Sequence, residues 1–453
     1  MEKENTVKTM KSEKTLKTAR EAGYFGKKML TDAIKAQEEG QPIGWAMVSW
    51  WQGDFIAKAM GMFLVYPENY GAFCAAVRKA EPNLELSDSE GFPNTLCGYS
   101  RNCLGYAKAL KDNNFMIPEG SPGGGMAMPV LLLASGCGCD ARYKWFQALK
   151  RYFNDVPVWT LETPQTGTGE FYLPENKKKN IEFMVKELRE FVSFLEKLLK
   201  KKMDYDKLSA MVDQAMKTLG VAREVDRLRM AVPSPMVSQD FWSIMTPHFY
   251  LADEPEAYAF YQRVYEEVRY KVDNKIGAVP NEKYRMIFAE LPPWHSIGFF
   301  DELGKRYGIA MVIESWNYHA PSELPEGELD GVSDPLEIIA RLTYHKWTEN
   351  HDASKEFGLS PAFGGSAWPR WAQDYKADGL FAHPLMSCRP ATYALNSARI
   401  VLEEKLKVPS VVVNGDLIDL RVFNVDEAFS KIEAFIETMD HYRELRRRAG
   451  IAW

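Results

Sequence analysis

The stretch MPVLLLASGCGCDARYKWFQALKRYF, residues 128–153, decides the fold class. It begins with a short apolar run, Met128–Ala134, which is typical of a strand buried on both faces. A loop rich in glycine and cysteine follows, then a helical pattern over Ala141–Phe153 and a second strand, Val156–Leu161. This order of elements predicts a parallel α/β sheet. The loop comes after the carboxyl end of its strand, where open α/β sheets bind ligands.

Similar units lie on both sides of this stretch. Upstream, strands are predicted at Ile43–Val48 and Met62–Val65, separated by a helix over Gln52–Met60. Downstream, the apolar runs predict four strands and one intervening helix: Arg285–Leu291, Phe299–Tyr307 (the helix), Ile309–Ile313, Asp378–His383 and Pro409–Asn414. The chain is therefore predicted to be α/β, with two open, mostly parallel, Rossmann- or flavodoxin-like sheet domains and helical N-terminal and linking segments.

Breaks in the pattern predict three parts. They are an N-terminal helical arm over 1–40, a first α/β domain over 41–229 and a second α/β domain over 230–453. The first domain carries a helical insertion at Ile181–Lys202 and Asp204–Met230. The segment MAVPSPMVSQ, residues 230–239, interrupts the helical pattern and marks the boundary. An amphipathic helix, Val425–Arg446, closes the second domain.

Composition places the chain among ordinary globular proteins. Its 453 residues are 46% hydrophobic and 26% charged, with a formal net charge of −6, so a general nucleic-acid or anionic-membrane surface is not expected. No apolar run approaches the roughly 20 residues that span a bilayer. The N-terminal 28 residues are polar and Lys-rich without an apolar core, which predicts an exposed or subunit-contacting arm and a cytoplasmic protein.

The cysteines are the residues best able to carry chemistry. Cys74 lies in a small apolar helical context, GAFCAAV, and is predicted to be a core residue. The remaining cysteines fall in loops or at helix starts: Cys97, Cys103, Cys137, Cys139 and Cys388. Thiolates suit zinc or iron–sulfur clusters, but the double pair of closely spaced cysteines typical of zinc sites is absent. Single ligands from separate loops fit a cluster in a crevice, although spacing alone favours unliganded thiols.

Besides residues 128–153, five segments have characteristic sequences: GWAMVSWWQGDFIAKAMGMFLVYPENYG (44–71), CGYSRNCLGY (97–106), HPLMSCR (383–389), GDLIDLR (415–421) and EAFSKIEAFIETM (427–439). Together these segments resemble the iron–sulfur subunits of the benzoyl-CoA reductase and 2-hydroxyacyl-CoA dehydratase superfamily. The similarity extends from near residue 40 to the last helix, so it covers most of the chain. The sequence CDARYKWFQ (139–147) looks more similar to the reductases than to the dehydratases.

The resemblance implies one [4Fe–4S] cluster bound by three cysteines, with one iron free of a protein thiolate. Carried over by motif, the ligands are Cys97, Cys139 and Cys388. Cys137 lies two residues before Cys139 and is a weaker candidate, as is Cys103. Helix N-termini after Cys139 and Cys388 would direct N–H groups toward the negative cluster.

Polar residues after other strands are weaker candidates for substrate contact or proton donation. Ser49 and Glu68 follow the first two strands, and His295 follows a strand of the second domain. For each, a cap, a turn or a purely structural role is at least as good an interpretation. His383, five residues before Cys388, is a further candidate as a hydrogen-bond donor near a cluster ligand.

Two further groups of residues have expected positions. Asp416 and Asp419 are expected to cap a turn or to pair with Arg421 or Arg389. Bulky side chains are expected to keep water from the site, although a core position is the simpler expectation for each one: Trp50, Trp51, Tyr99, Trp145, Trp294 and Trp316.

The resemblance implies an oxidoreductase subunit of an anaerobic, ATP-dependent aromatic acyl-CoA reductase that reduces a thioester-activated ring to a cyclic diene. Implied partners are a homologous cluster-bearing subunit, an ATP-hydrolysing iron–sulfur activator, reduced ferredoxin and an acyl-CoA substrate. The chain has no G-x-x-x-x-G-K-[ST] motif, so ATP is expected on the activator. The alternatives are a 2-hydroxyacyl-CoA dehydratase subunit, which eliminates water through a ketyl radical, and a non-catalytic scaffold or electron-relay subunit.

Overall fold

A computed structural model describes residues 14–48, 52–136, 139–164, 169–315, 324–359, 365 and 367–453. Its strands form two four-stranded sheets in which every pair is parallel, so the predicted fold class is confirmed. The strands are β1 Ile43–Ala46, β2 Phe63–Val65, β3 Leu131–Ser135, β4 Val158–Leu161, β5 Tyr284–Ala289, β6 Ile309–Glu314, β7 Gly379–Ala382 and β8 Ser410–Val412.

Helices cover the sheets and connect their strands. The helices are α1 Gly23–Glu38, α2 Asp54–Ala59, α3 Pro67–Ala76, α4 Glu81–Ser89, α5 Gly98–Asp112, α6 Asp140–Leu149, α7 Pro174–Leu199, α8 Tyr205–Leu228, α9 Ser238–Tyr250, α10 Pro255–Asp273, α11 Gly298–Tyr307, α12 Pro335–Phe357, α13 Trp368–Asp374, α14 Arg389–Leu406 and α15 Val425–Arg448. None of these helices, within the described residues, has the length and apolar character needed to cross a membrane.

The two sheets have the same strand order. The first runs β2-β1-β3-β4 and the second runs β6-β5-β7-β8, so each places its first strand between its second and third. The second and third strands of each sheet lie on opposite sides of its first strand, so the strand order reverses there. Each sheet therefore has a topological switch point, between β1 and β3 in the first and between β5 and β7 in the second. Ligands of open α/β sheets bind beyond the strand ends at such points.

Strand ends differ from the sequence prediction for local reasons. A strand was expected from Met128, but β3 starts at Leu131, because Pro129 lacks an N–H to donate to a neighbouring strand. A strand was expected to continue to Leu291, but β5 ends at Ala289, because Glu290 has a left-handed backbone with φ of +80°. The second difference places a carboxyl group at the switch point of the second sheet.

The N-terminal arm was expected to be exposed or to contact a partner subunit, but the part that the structure describes is not exposed and packs within its own chain. Apolar residues of this segment are buried in the core, including Leu16, Phe25 and Met29. The backbone N–H of Thr15 donates to the Asp240 carboxylate at 2.8 Å and fixes the segment to the start of α9. The amphipathic pattern of α1 is therefore satisfied within the chain.

Packing between helices gives a direct test of the fold. Gly105 lies in α5, where a Cβ atom would come within 1.8 Å of the Asn83 carbonyl oxygen in α4. Gly105→Ala should therefore destabilise the protein by about 3 kcal/mol through overpacking. Gly220 in α8 has nothing within 4 Å of its Cβ position, so Gly220→Ala should stabilise by about 1 kcal/mol.

Urea unfolding followed by tryptophan fluorescence checks this pair of variants. Equal shifts of the two midpoints, or a stabilising effect of Gly105→Ala, would contradict the close approach of α4 and α5.

Candidate cluster-binding site

Three cysteines occupy the same position in three helices. Cys97 is the N-cap of α5, Cys139 is the N-cap of α6 and Cys388 is the N-cap of α14. Cys139 follows β3 of the first sheet and Cys388 follows β7 of the second. The thiols therefore come from both sheets and from helix starts that carry partial positive charge.

Electrostatic interactions show that the three thiols lie near one another. Burial raises the pKa of Cys97 well above its usual range, and the charges of Cys139 and Cys388 raise it further. Burial also raises the pKa of Cys139, and it raises that of Cys388 to about 12, where the charge of Cys139 also contributes. Each residue is partly exposed, although protein surrounds its sulfur on most sides. Three negative thiolates would therefore repel one another unless a cation held them.

Backbone amides in the first turn of each helix act on these sulfurs. The N–H of Ser100 lowers the pKa of Cys97, that of Arg142 lowers the pKa of Cys139, and that of Ala391 lowers the pKa of Cys388. The thiols make no cap hydrogen bond of normal geometry. The amides thus favour negative charge on sulfur and leave the sulfur lone pairs free to bind a metal.

The donor set consists of three thiols. Among the described residues, no group of three or more His, Cys, Asp and Glu side chains is arranged around one ion. A cluster bonds each thiolate to a different iron, so its ligands stand farther apart than those of a single ion. Soft thiolates and no imidazole are the ligand set that such clusters use.

A buried carboxylate connects two of the cysteine segments. Asp416, which follows β8, accepts a short hydrogen bond from the hydroxyl of Ser387, the neighbour of Cys388. The Ser387 hydroxyl accepts in turn from the backbone N–H of Gly98 at 3.3 Å. A Cβ at Gly98 would lie 2.8 Å from an Asp416 oxygen, so only glycine fits this approach without displacement. These contacts set Cys97 and Cys388 at a fixed separation.

Ion pairs add to the connection between the sheets. The buried guanidinium of Arg101 in α5 donates to Asp419 at 3.3 Å and to Asp88 at 2.6 Å. Asp419 also binds Arg421, as expected from the sequence. Arg389 instead pairs with Asp140, so the residues that follow Cys388 and Cys139 are in direct contact. That last pair is exposed and adds little stability, but it spans the crevice between the helix starts.

Glu68 has a definite structural role at the first sheet. It lies in the first turn of α3, accepts from the Val48 N–H at 2.6 Å and binds Arg142 of α6 at 2.9 Å. Arg142 is buried and lies three residues after Cys139, so this pair orients the start of α6. The substrate contact predicted for Glu68 stays a prediction.

The two candidate histidines are both buried and neutral. His295 lies 3.1 Å from the Asp416 carbonyl through Nε2 and 2.8 Å from the Ser296 hydroxyl through Nδ1. Burial lowers its pKa to about 4, and the same is true of His383. Since a carbonyl only accepts, Nε2 of His295 carries the proton, and both of its ring nitrogens are used by the protein. Proton donation by His295 stays a prediction.

The remaining candidates divide into core residues and residues outside the described part. Cys103 is fully buried beside Trp145, and burial raises its pKa without any contribution from the three thiols. Cys74 is buried as expected. Trp294 donates a hydrogen bond to the Tyr99 hydroxyl at 2.6 Å, and Tyr99 lies two residues after Cys97. The candidates that lie outside the described residues are Ser49, Trp50, Trp51, Cys137 and Trp316.

Two residues of this region were not singled out from the sequence. Ser387 lies in the motif HPLMSCR, but its contacts with Asp416 and Gly98 depend on tertiary structure. Glu290 was counted as part of an apolar strand, RMIFAEL. A lone carboxylate at the end of such a strand was a visible signal, because strand ends of α/β sheets meet ligands.

Comparison with known proteins identifies the family. A family profile described as "2-hydroxyglutaryl-CoA dehydratase, D-component" matches residues 54–439, and the chain belongs to this family. The (R)-2-hydroxyisocaproyl-CoA dehydratase alpha subunit of Clostridioides difficile is 24% identical, with 92% of this chain and 94% of that protein covered. The alpha subunit of lactoyl-CoA dehydratase from Anaerotignum propionicum is 22% identical, with 92% of this chain and 95% of that protein covered. A benzoyl-CoA reductase subunit of Thauera aromatica is 23% identical, with 76% and 78% covered.

The connection through Asp416 gives a stability prediction. Ser387→Ala removes the donor to a buried carboxylate, so it should destabilise the protein by about 1–3 kcal/mol. Ser430→Ala is the control, because the exposed Ser430 hydroxyl bonds only a carbonyl of its own helix, and it should stay within about 0.5 kcal/mol. Urea unfolding midpoints compare the two variants. Equal midpoints would show that the Ser387 contacts do not hold the two sheets together.

Proposed function

We propose that this chain is the cluster-bearing alpha-type subunit of a radical 2-hydroxyacyl-CoA dehydratase. The proposal rests on the match to a dehydratase component over most of the chain, together with three cysteines that share one position at neighbouring helix starts. Cys97, Cys139 and Cys388 are the proposed ligands, with Cys137 and Cys103 as weaker candidates. A [4Fe–4S] cluster bound there supplies single electrons at low potential.

The chain's own residues have three roles in this proposal. The first-turn amides of α5, α6 and α14 stabilise negative charge at the sulfurs. The contacts of Asp416 and the Glu68–Arg142 pair hold the helix starts in place. Buried aromatic side chains such as Tyr99 and Trp294 keep water away from Cys97, which protects reactive intermediates.

Dehydration is favoured over ring reduction by the comparisons. The sequence motif CDARYKWFQ by itself predicts benzoyl-CoA reduction. The family profile is that of a dehydratase component, and two of the three relatives described above are dehydratase alpha subunits. A dehydratase adds one electron to form a ketyl radical, expels the hydroxyl group as hydroxide, loses a proton and recovers the electron, so the net reaction is the elimination of water, a lyase reaction.

Ring reduction is the second candidate. It is supported by the similarity to the benzoyl-CoA reductase of Thauera aromatica and by the motif residues 139–147. Both functions predict the same partners: a homologous cluster-bearing subunit, an ATP-hydrolysing iron–sulfur activator, reduced ferredoxin as electron source and an acyl-CoA substrate, in the cytoplasm. A scaffold or relay subunit would use the same partners but would not turn over substrate.

Electron stoichiometry distinguishes the two reactions. The chain, its partner subunit and its activator are mixed anaerobically with a limiting, counted amount of reductant and either a 2-hydroxyacyl-CoA or benzoyl-CoA. A dehydratase should form many product molecules per electron, because the electron is recovered after each turnover. A reductase should form at most one diene for every two electrons.

If the activator hydrolyses ATP and reduces the subunits but neither thioester gives a product, both catalytic functions are contradicted and the relay function is supported. Omission of the activator is the matched control and should abolish product in either reaction.

A further inference from the structure

Glu290 has an unusual backbone position. It directly follows β5 and has a φ of +80°, a left-handed conformation that side-chain-bearing residues seldom adopt. A glycine would occupy this position without strain. Strained residues persist where surrounding structure holds them, and they are concentrated at functional sites.

The carboxyl group of Glu290 is completely buried, and no described residue forms a hydrogen bond with it. Its exposed fraction is 0%, and neither carboxyl oxygen has a hydrogen-bond partner among the described residues. Its backbone N–H donates to the Ser315 hydroxyl at 3.0 Å. Burial raises the pKa of Glu290 well above its usual range. Burial therefore favours the protonated carboxylic acid, whose O–H donor has no acceptor among the described residues.

His383 supplies an acceptor at the neighbouring strand end. Ala289 and Ala382 are the last paired residues of β5 and β7, so Glu290 and His383 follow them side by side. Nδ1 of His383 lies 2.8 Å from the Leu291 carbonyl and must carry the proton, because a carbonyl only accepts. Nε2 is therefore a bare acceptor, and among the described residues it has no hydrogen-bond partner.

The two residues lie at a functional position in the fold. The gap between β5 and β7 is the switch point of the second sheet, and Cys388 follows five residues after His383. The charged form of Glu290 would raise the pKa of Cys388, so the two groups are within electrostatic range. Cys139 lies after β3 at the equivalent point of the first sheet.

We propose that Glu290 and His383 form a buried hydrogen-bonding site at the switch point of the second sheet, with Glu290 as donor, His383 as acceptor and one water molecule as the resident ligand. A water needs at least two polar partners in such a site, and these two residues provide them. The site lies where β7 leads into the segment that carries Cys388. Glu290 is thus a positioning residue, since it holds the water at this strand end.

The surrounding titratable groups agree with a neutral site. His383 on the adjacent strand end and His295 in the turn after β5 are both held neutral by burial, which lowers the pKa of each to about 4. Cys388 and the buried Asp416, from the segments after β7 and β8, add negative charge when ionised. Ser315, after β6, is uncharged. None of these groups offers a cation to offset a charge on Glu290.

Infrared difference spectroscopy of the full chain tests the donor. The spectrum of wild type minus Glu290→Gln should show the carbonyl band of a protonated carboxylic acid at neutral pH. Glu328→Gln is the control and should remove no such band. Partial burial opposes ionisation of Glu328, but its hydrogen bonds with Lys177 and His345 have the larger effect and lower its pKa. His383→Asn keeps a donor for Leu291 but removes the acceptor, so the Glu290 band should move to higher frequency.

Stability against pH gives an independent readout that requires no cluster. The folded-state pKa of Glu290 is raised above its unfolded value of about 4.3, so its contribution is present below that pH and is lost as pH rises toward the folded-state pKa. Relative to Glu290→Gln, the wild-type folding equilibrium constant should fall about tenfold per pH unit above about pH 5. Glu290→Gly relieves the left-handed strain and serves if Glu290→Gln does not fold.

Three outcomes would overturn the inference. The first is no acid band at Glu290, the second is a band that His383→Asn leaves in place, and the third is a wild-type to Glu290→Gln difference independent of pH. None of these measurements depends on catalysis, so a failure here is separate from a failure of the proposed function.

Discussion

The Asp416 carboxylate is the contact on which the arrangement of the site depends. It is buried after β8 of the second sheet, yet through Ser387 it reaches the backbone of Gly98 at the start of α5. Its other oxygen accepts from the N–H groups of Ile418 and Asp419, so its own loop is fixed as well. A single buried acid thereby holds two cysteine-bearing helix starts, from different parts of the chain, near each other.

Ionisation of three neighbouring buried thiols costs free energy at this site. Three thiols in largely buried positions resist ionisation, and the charges of Cys139 and Cys388 further raise the cost of ionising Cys97. Three helix N-termini directed at one place offset part of this cost, and metal binding would offset the rest. A neutral Glu290 follows the same requirement, because a charged carboxylate there would add to the repulsion.

The sheets were predictable from the sequence because buried parallel strands are continuous apolar runs. All eight strands were expected, and their ends shifted where, for example, Pro129 lacks a donor or Glu290 turns left-handed. The three cysteines came from motif resemblance, since spacings between such distant positions carry no geometric information. The contacts of Ser387 and the buried state of Glu290 were not predictable, because they depend on which strand ends adjoin in space.

Iron and acid-labile sulfide analysis with electron paramagnetic resonance, on anaerobically purified chain with its partner subunit, tests the central claim most directly. Because the proposed partner carries a cluster of its own, wild type should hold about four iron and four sulfide per chain, and Cys97→Ser, Cys139→Ser and Cys388→Ser should each lose about four of each from the complex or alter the signal of that cluster. Cys74→Ser, a core change, should retain it. A wild-type chain without iron, or a cluster that survives unchanged in all three serine variants, would contradict the account.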